Sequence, residues 1–250
     1  MSATAMPASP AWYRFRGWLF FAVVWLAFFV GYFVQGTAAA MGAGQPLPLY
    51  ELARRSGGDG AMHATFWVAA VLFFAGFLMR LWGAAYLSRP VVWSGNVRTD
   101  ALVVAGPFRL TRNPLYLGNL LMFTALGVFG PPAALPFLVI GSWLALRACI
   151  LHEEAALRAR FGPAFERYCA QVPRLFPRLT PVPGDAIRPS WRSGFLSEIG
   201  SAIWSLGMLA LAIAGPRAIP LYWAFLILGV LVIPSSGALA SRFAERRIPR

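Results

Sequence analysis

Eight residues flanking one hydrophobic hairpin are of types that do chemistry. Arg112, Asn113, Tyr116 and Asn119 lie on its entering side, and Glu153, Glu154, Tyr168 and Arg174 on its leaving side. Arginine offers a planar fork of donors to carboxylates and phosphates, glutamate an anion for ammonium or guanidinium groups, and tyrosine a hydroxyl on an apolar ring. Beside membrane segments such a group is either an interfacial ion-pair network or a polar site, and spacing alone leaves both open. The basic half falls in a punctuated stretch, Gly106-Pro107-Phe108-Arg109-Leu110-Thr111-Arg112-Asn113-Pro114-Leu115-Tyr116-Leu117-Gly118. The acidic half opens at Glu153-Glu154 and runs through Phe161-Gly162, Tyr168 and Val172-Pro173-Arg174-Leu175-Phe176-Pro177.

The elements between them dictate where they meet. Residues 115–129 are apolar and cover about 22 Å as a helix. Gly130-Pro131-Pro132 turns the chain and residues 133–151 return it. So short a connection makes the two helices antiparallel neighbours, which brings the polar stretches side by side on one membrane face. Residues 152–169 have helical spacing, with Leu157, Phe161, Phe165 and Tyr168 three or four apart. Gly162-Pro163 is expected to break that helix, and the proline-rich residues 173–189 to be extended.

Composition sets the class. Of 250 residues, 58% are hydrophobic and only 12% charged, with a mean hydropathy of +0.62; soluble domains carry about 25% charged residues. The chain reads as an all-α polytopic integral membrane protein with about six spans, at residues 18–34, 64–86, 115–129, 133–151, 196–214 and 219–235. Residues 18–34 exceed the apolar core of a signal peptide and are taken as the first span. The net charge of +13 is carried by 22 arginines and no lysine, a usage that fits GC-rich coding and a bacterial inner membrane. With these spans, 19 arginines share one side and only Arg54, Arg55 and Arg217 fall opposite, which places both termini in the cytoplasm. The basic face then meets anionic lipid, and nucleic acid is excluded as a partner.

The rest is organised around the hairpin. Residues 1–95 are expected to hold two spans and their loops, 96–190 the core, and 191–250 a C-terminal hairpin and basic tail. Residues 1–13 read as loose, Tyr50 to Arg55 as a short interfacial helix, and Trp82 and Tyr86 as belt aromatics. The C-terminal hairpin reads as membrane packing or a homodimer contact. Cys149 and Cys169 read as small buried groups without a disulfide. His152-Glu153-Glu154 is no metal site, since it has one imidazole and consecutive helical residues diverge.

The order Gly-Pro-Phe-Arg-x-x-Arg-Asn-Pro-x-Tyr-x-Gly, a hydrophobic hairpin, Glu-Glu-x-x-Leu-x-x-x-Phe-Gly, then Tyr-x-x-x-Val-x-Arg-x-x-Pro resembles the isoprenylcysteine carboxyl methyltransferase family, related to the phospholipid N-methyltransferases. The resemblance covers roughly residues 103–177. It implies a membrane enzyme that uses S-adenosylmethionine at the cytoplasmic mouth of the hairpin, with a lipid or other lipophilic acceptor entering from the bilayer. By that resemblance Gly106, Pro107, Arg112, Asn113, Pro114, Tyr116, Gly118, Glu153, Glu154 and Tyr168 hold the cofactor, and Arg174 and Glu154 are the catalytic pair. The glutamates would take the cofactor's polar groups, Tyr116 and Tyr168 its rings, and Arg174 the acceptor. Asn113 stands where relatives usually have His; it replaces one imidazole hydrogen bond but cannot titrate. A carboxylate acceptor is anionic at neutral pH and needs no base, whereas an amine or thiol must lose a proton. Carboxyl O-methylation is therefore the leading expectation. Phospholipid N-methylation, thiol S-methylation and a non-enzymatic protein on the same fold are the alternatives.

Overall fold

The structure, a computed structural model, describes residues 10–87 and 102–244. Residues 1–9, residues 88–101 of the loop before the motif, and the end of the basic tail at 245–250 lie outside the described residues. Among those described there is no strand; the elements are α1 (Ala11–Arg14), α2 (Arg16–Ala38), α3 (Leu49–Tyr86), α4 (Pro114–Leu126), α5 (Ala134–Phe161), α6 (Pro163–Gln171), α7 (Trp191–Ser197), α8 (Ile199–Ala214) and α9 (Ile219–Ala244). Four helical stretches are long and apolar enough to cross a membrane: Arg16–Gly42, Leu49–Tyr86, Ala134–Phe161 and Ile199–Val232. The last folds back on itself as α8 and α9, and the shorter apolar Pro114–Phe129 accounts for the remaining expected span.

Glycine and proline set the breaks. Gly58, at φ 72°, kinks α3 and sets off its first turns from the long span. The stretch expected as a short interfacial helix is thus the head of α3, where Glu51 pairs with Arg54 and Arg55. Pro114 occupies the first turn of α4, where its missing N–H is no loss. Gly162, at φ 48°, ends α5, and Pro163 starts α6. The span and the start of the acidic helix are one continuous rod, so Glu153 and Glu154 are held rigidly by the membrane helix.

The helices lie against one another in the order α2, α5, α4, α3, α8, α9. Small residues allow a close approach of α3 and α4: a Cβ on Gly118 would lie 2.6 Å from the Gly76 carbonyl oxygen. Between apolar surfaces already solvated by lipid, such contact replaces the hydrophobic drive available in water. Phe66, Phe73, Met122, Met208, Leu211 and Tyr222 form the core that joins α3 and α4 to the C-terminal hairpin. Trp204 donates to the Leu226 carbonyl at 3.0 Å, pairing α8 and α9 antiparallel. Trp18, Phe21, Trp25, Phe29 and Phe33 on α2 are exposed, as a lipid-facing helix requires. The N-terminal stretch departs from expectation: Tyr13 is 2% exposed and packs on Leu146, Cys149 and Ile150. A polar-tipped aromatic beside a buried carboxylate is ordered there, which the Ala/Ser/Pro-rich composition did not signal.

Candidate functional site

A backbone seam builds the site. The turn Gly106–Arg109 starts at Gly106 with φ 54°, a conformation glycine adopts freely, and a Cβ there would run into the Tyr86 ring. The chain then passes alongside the extended segment after α6. The Arg112 N–H donates to the Pro173 carbonyl at 2.9 Å, the Arg178 N–H to Leu110 at 3.0 Å and the Val182 N–H to Arg109 at 3.1 Å. Asp185 donates its N–H to the Val104 carbonyl at 2.8 Å and accepts the Val104 N–H on its carboxylate at 3.1 Å. The Thr111 hydroxyl adds a 2.7 Å bond to the Leu175 carbonyl. The motif and the strap that returns to it are thereby locked in register.

Glu154 sits inside this seam, 3% exposed. Arg174 reaches its Oε2 through Nη2 at 3.0 Å and Nε at 3.1 Å, and Arg112 lies 3.4 Å from its Oε1 through Nη1. The Arg112 Nη1 also donates to the Cys169 sulfur at 2.5 Å, while its Nε is buried without a partner. The Asn113 side-chain amide donates to the Arg174 carbonyl at 2.8 Å and so fixes the residue that carries the second guanidinium. Tyr168 donates to the Phe108 carbonyl at 2.7 Å. Burial holds the Tyr168 phenol neutral, well above its ordinary range, with Arg112 opposing. Burial likewise pushes the Cys169 thiol up against the pull of Arg112, which favours its neutral form.

Glu153 points elsewhere. Its Oε1 accepts hydroxyls from both Tyr13 and Tyr116, the latter at 2.5 Å. The His152 ring lies 4.7 Å from that of Tyr13 and 5.5 Å from that of Trp12, and its Nε2 is buried without a partner. The structure therefore divides the eight expected residues. Arg112, Asn113, Glu154, Tyr168 and Arg174 come together; Tyr116 and Glu153 form a second group with Tyr13. Asn119 joins neither, because it accepts from Arg80 at 2.6 Å. Pro114 and Gly118 lie in the α3–α4 contact, against Gly83 and Gly76. A cleft of about 420 Å³ adjoins the turn between Trp82, Tyr86, Gly106, Arg109 and Asp185, so the two α3 aromatics expected as belt residues line a cavity. Tyr13 and the ion pair of Arg80 with Glu198 were missed from sequence. Arg80 fell inside an expected span, and an ionisable residue there was the available signal.

The sequence that builds this site has relatives. Residues 64–164 match the phospholipid methyltransferase family. That family belongs to the isoprenylcysteine carboxyl methyltransferase-like group, and the match spans α3 from residue 64 onward, the motif, the α4–α5 hairpin and Glu154. The chain is 29% identical over 149 residues to the cobalt-zinc-cadmium resistance protein CzcN of Cupriavidus metallidurans, covering 57% of this chain and 66% of that one. It is 28% identical over 149 residues to the nickel-cobalt-cadmium resistance protein NccN of Alcaligenes xylosoxydans xylosoxydans, covering 57% and 67%. It thus spans about two-thirds of the length of these relatives. No solved structure matches it. The family match supports a membrane methyltransferase.

Proposed function

We propose that this protein is an S-adenosylmethionine-dependent methyltransferase that modifies a membrane-borne or lipophilic acceptor, most like an isoprenylcysteine carboxyl O-methyltransferase. The observation that carries the reading is the meeting of Arg112, Arg174 and Glu154 at the hairpin mouth. These residues suit the cofactor's charges: a guanidinium for its carboxylate, a glutamate for its ammonium. The unpartnered Arg112 Nε is a buried donor that a ligand acceptor would satisfy. The Tyr168 ring, Gly106-Pro107 and the adjoining cleft complete a surface for rings and ribose. When bound, the cofactor supplies an electrophilic methyl group on its sulfonium.

The chain's own part is alignment. Asn113 and the seam hold Arg174, 37% of whose side chain is exposed, where its fork can orient an acceptor carboxylate. Both Glu154 oxygens are engaged by guanidinium groups, and His152 lies on the Glu153 side of the helix. A free base beside Arg174 is therefore missing among the described residues, which favours an acceptor that arrives as an anion. The family description favours a phospholipid amine as the second reading. The relatives' names link them to metal resistance. Among the described residues no group of three or more His, Cys, Asp or Glu is placed to hold a metal ion.

The test is to incubate membranes containing the protein with methyl-labelled S-adenosylmethionine, then treat the products with base. Volatile methanol is the expected result. Base-stable label would replace the carboxyl reading with N- or S-methylation. Absence of both label and cofactor affinity in the purified protein would remove the enzyme reading.

A further inference from the structure

We infer that Arg80 and Glu198 form a positioning joint through which the C-terminal hairpin holds the motif-bearing helix α4 in register for methyl transfer; the inference rests on the function proposed above. Arg80 lies on α3 and is 8% exposed; Glu198 lies at the break between α7 and α8 and is 0% exposed. The contact is a two-pronged fork, Nε to Oε2 at 2.7 Å and Nη2 to Oε1 at 2.8 Å. Ser201 donates a further 2.9 Å bond to Oε2, so the carboxylate is fixed from its own helix as well. The remaining guanidinium nitrogen, Nη1, donates to Asn119 of α4 at 2.6 Å. One arginine thus joins three helices that the chain reaches far apart in sequence.

The stem of Arg80 also explains the end of the motif. A Cβ on Gly118 would come 2.5 Å from the Arg80 Cγ, so Gly118 is the notch through which the arginine passes to reach Asn119. Within the two turns before Asn119, Asn113 and Tyr116 make their bonds to Arg174 and Glu153. A shift or rotation of α4 at Asn119 moves both. Attachment of the hairpin alone does not call for charge, because replacing a buried ion pair with packed apolar residues is often neutral or stabilising. Apolar helix faces in lipid set register weakly, whereas a fork fits one geometry. Register is what this pair adds. Arg80 packs against Gly118 and bonds to Glu198 and Asn119, away from the Arg112–Glu154–Arg174 cluster, so Arg80 and Asn119 act as positioning residues.

Asn119→Leu separates this from simple attachment, because it keeps the Arg80–Glu198 pair and cuts only its link to α4. Hydrogen–deuterium exchange of the purified protein is expected to quicken in residues 113–120, and kcat for methyl transfer to fall by about tenfold or more with KM for S-adenosylmethionine within about threefold. Asn119→Asp, which keeps an acceptor oxygen at the same reach, restores both. Should Asn119→Leu fail to accumulate in membranes, Asn119→Ser, too short to reach Arg80, takes its place. Unchanged exchange in residues 113–120 overturns the joint, and so does quickened exchange with unchanged kcat. A wild-type protein that neither binds the cofactor nor transfers methyl defeats the proposed function instead, and the exchange measurement then decides the joint by itself.

Discussion

Glu153 and Glu154 are neighbours in the chain and belong to different structures, because a helix turns about 100° per residue. Glu154 meets two arginines, while Glu153 meets two tyrosine hydroxyls. Glu154→Ala leaves both guanidiniums without their counter-ion, and removing one partner of a buried pair costs about 3–5 kcal/mol; the exposure of Arg174 puts the expected loss at the lower end. Methyl transfer should vanish with it, whereas Glu153→Gln, which keeps an acceptor for Tyr13 and Tyr116, should retain most transfer; radiolabel incorporation and thermal unfolding in detergent check both. Tyr168 gives a pH dependence. Its phenol stays protonated in the folded chain above the ordinary value of 10.0, so the folded state keeps a proton that the unfolded state releases. That stability is complete below about pH 10 and is lost as pH rises towards the raised value. Tyr168→Phe should flatten this alkaline decline above about pH 10 in thermal melts, at about 1 kcal/mol lost at neutral pH for the missing hydrogen bond. The approach of Arg112 to Glu154 was legible because a three-residue Gly-Pro-Pro turn makes the flanking helices antiparallel neighbours, whereas the bonds that bring Arg174 to them come from the strap after α6. The Tyr13–Glu153 contact was not, since nothing local in a loose-looking N-terminal stretch specifies a partner 140 residues away.

Helices α3 and α4 meet through glycines, and the two kinds of glycine in this fold respond differently to a methyl group. At Gly118 the obstacle is space: Arg80 and the Gly76 backbone stand within 2.6 Å of an added Cβ. Gly118→Ala should cost about 1–3 kcal/mol by overpacking and reduce transfer along with stability. Gly162 has open space around it and a φ of 48°. Gly162→Ala should cost about 1–2 kcal/mol through backbone strain alone, with transfer per folded molecule unchanged, as detergent unfolding and kcat together would show. Element boundaries at Gly130 and Gly162 were readable because glycine and proline act locally, whereas the helix that runs on through the kink at Gly58 was not. The α7–α8 break was not, as Ser197 and Glu198 carry no such punctuation, and Glu198 breaks the helix while serving a partner on α3.

Across the whole molecule the membrane helices form one body whose C-terminal hairpin is integral to it. Met208, Leu211 and Tyr222 share a core with Phe66, Phe73 and Met122, and Ser190 donates to the Ala85 carbonyl at 2.7 Å where α7 docks on the end of α3. A chain ended after residue 190 would strip that core and leave Arg80 charged and buried without Glu198. It should fail to accumulate, by immunoblot of isolated membranes, whereas a hairpin serving only as a dimer contact would be dispensable. The all-α membrane class was legible from hydropathy, and lipid-facing α2 bears it out. How helices pack sideways was not, because the small-residue notches at Gly76, Gly83 and Gly118 look alike in sequence whichever neighbour fills them. The seam between residues 104–113 and 173–185 has one further consequence, for biogenesis. The ribosome delivers the arginine-bearing motif first, then the hairpin, and only afterwards the strap whose carbonyls and guanidinium complete it. A nascent chain halted before Pro173 would already carry Arg112 and Glu154 but would lack Arg174 and the backbone partners of the motif, so the seam closes only as a late step, after the hairpin has been made.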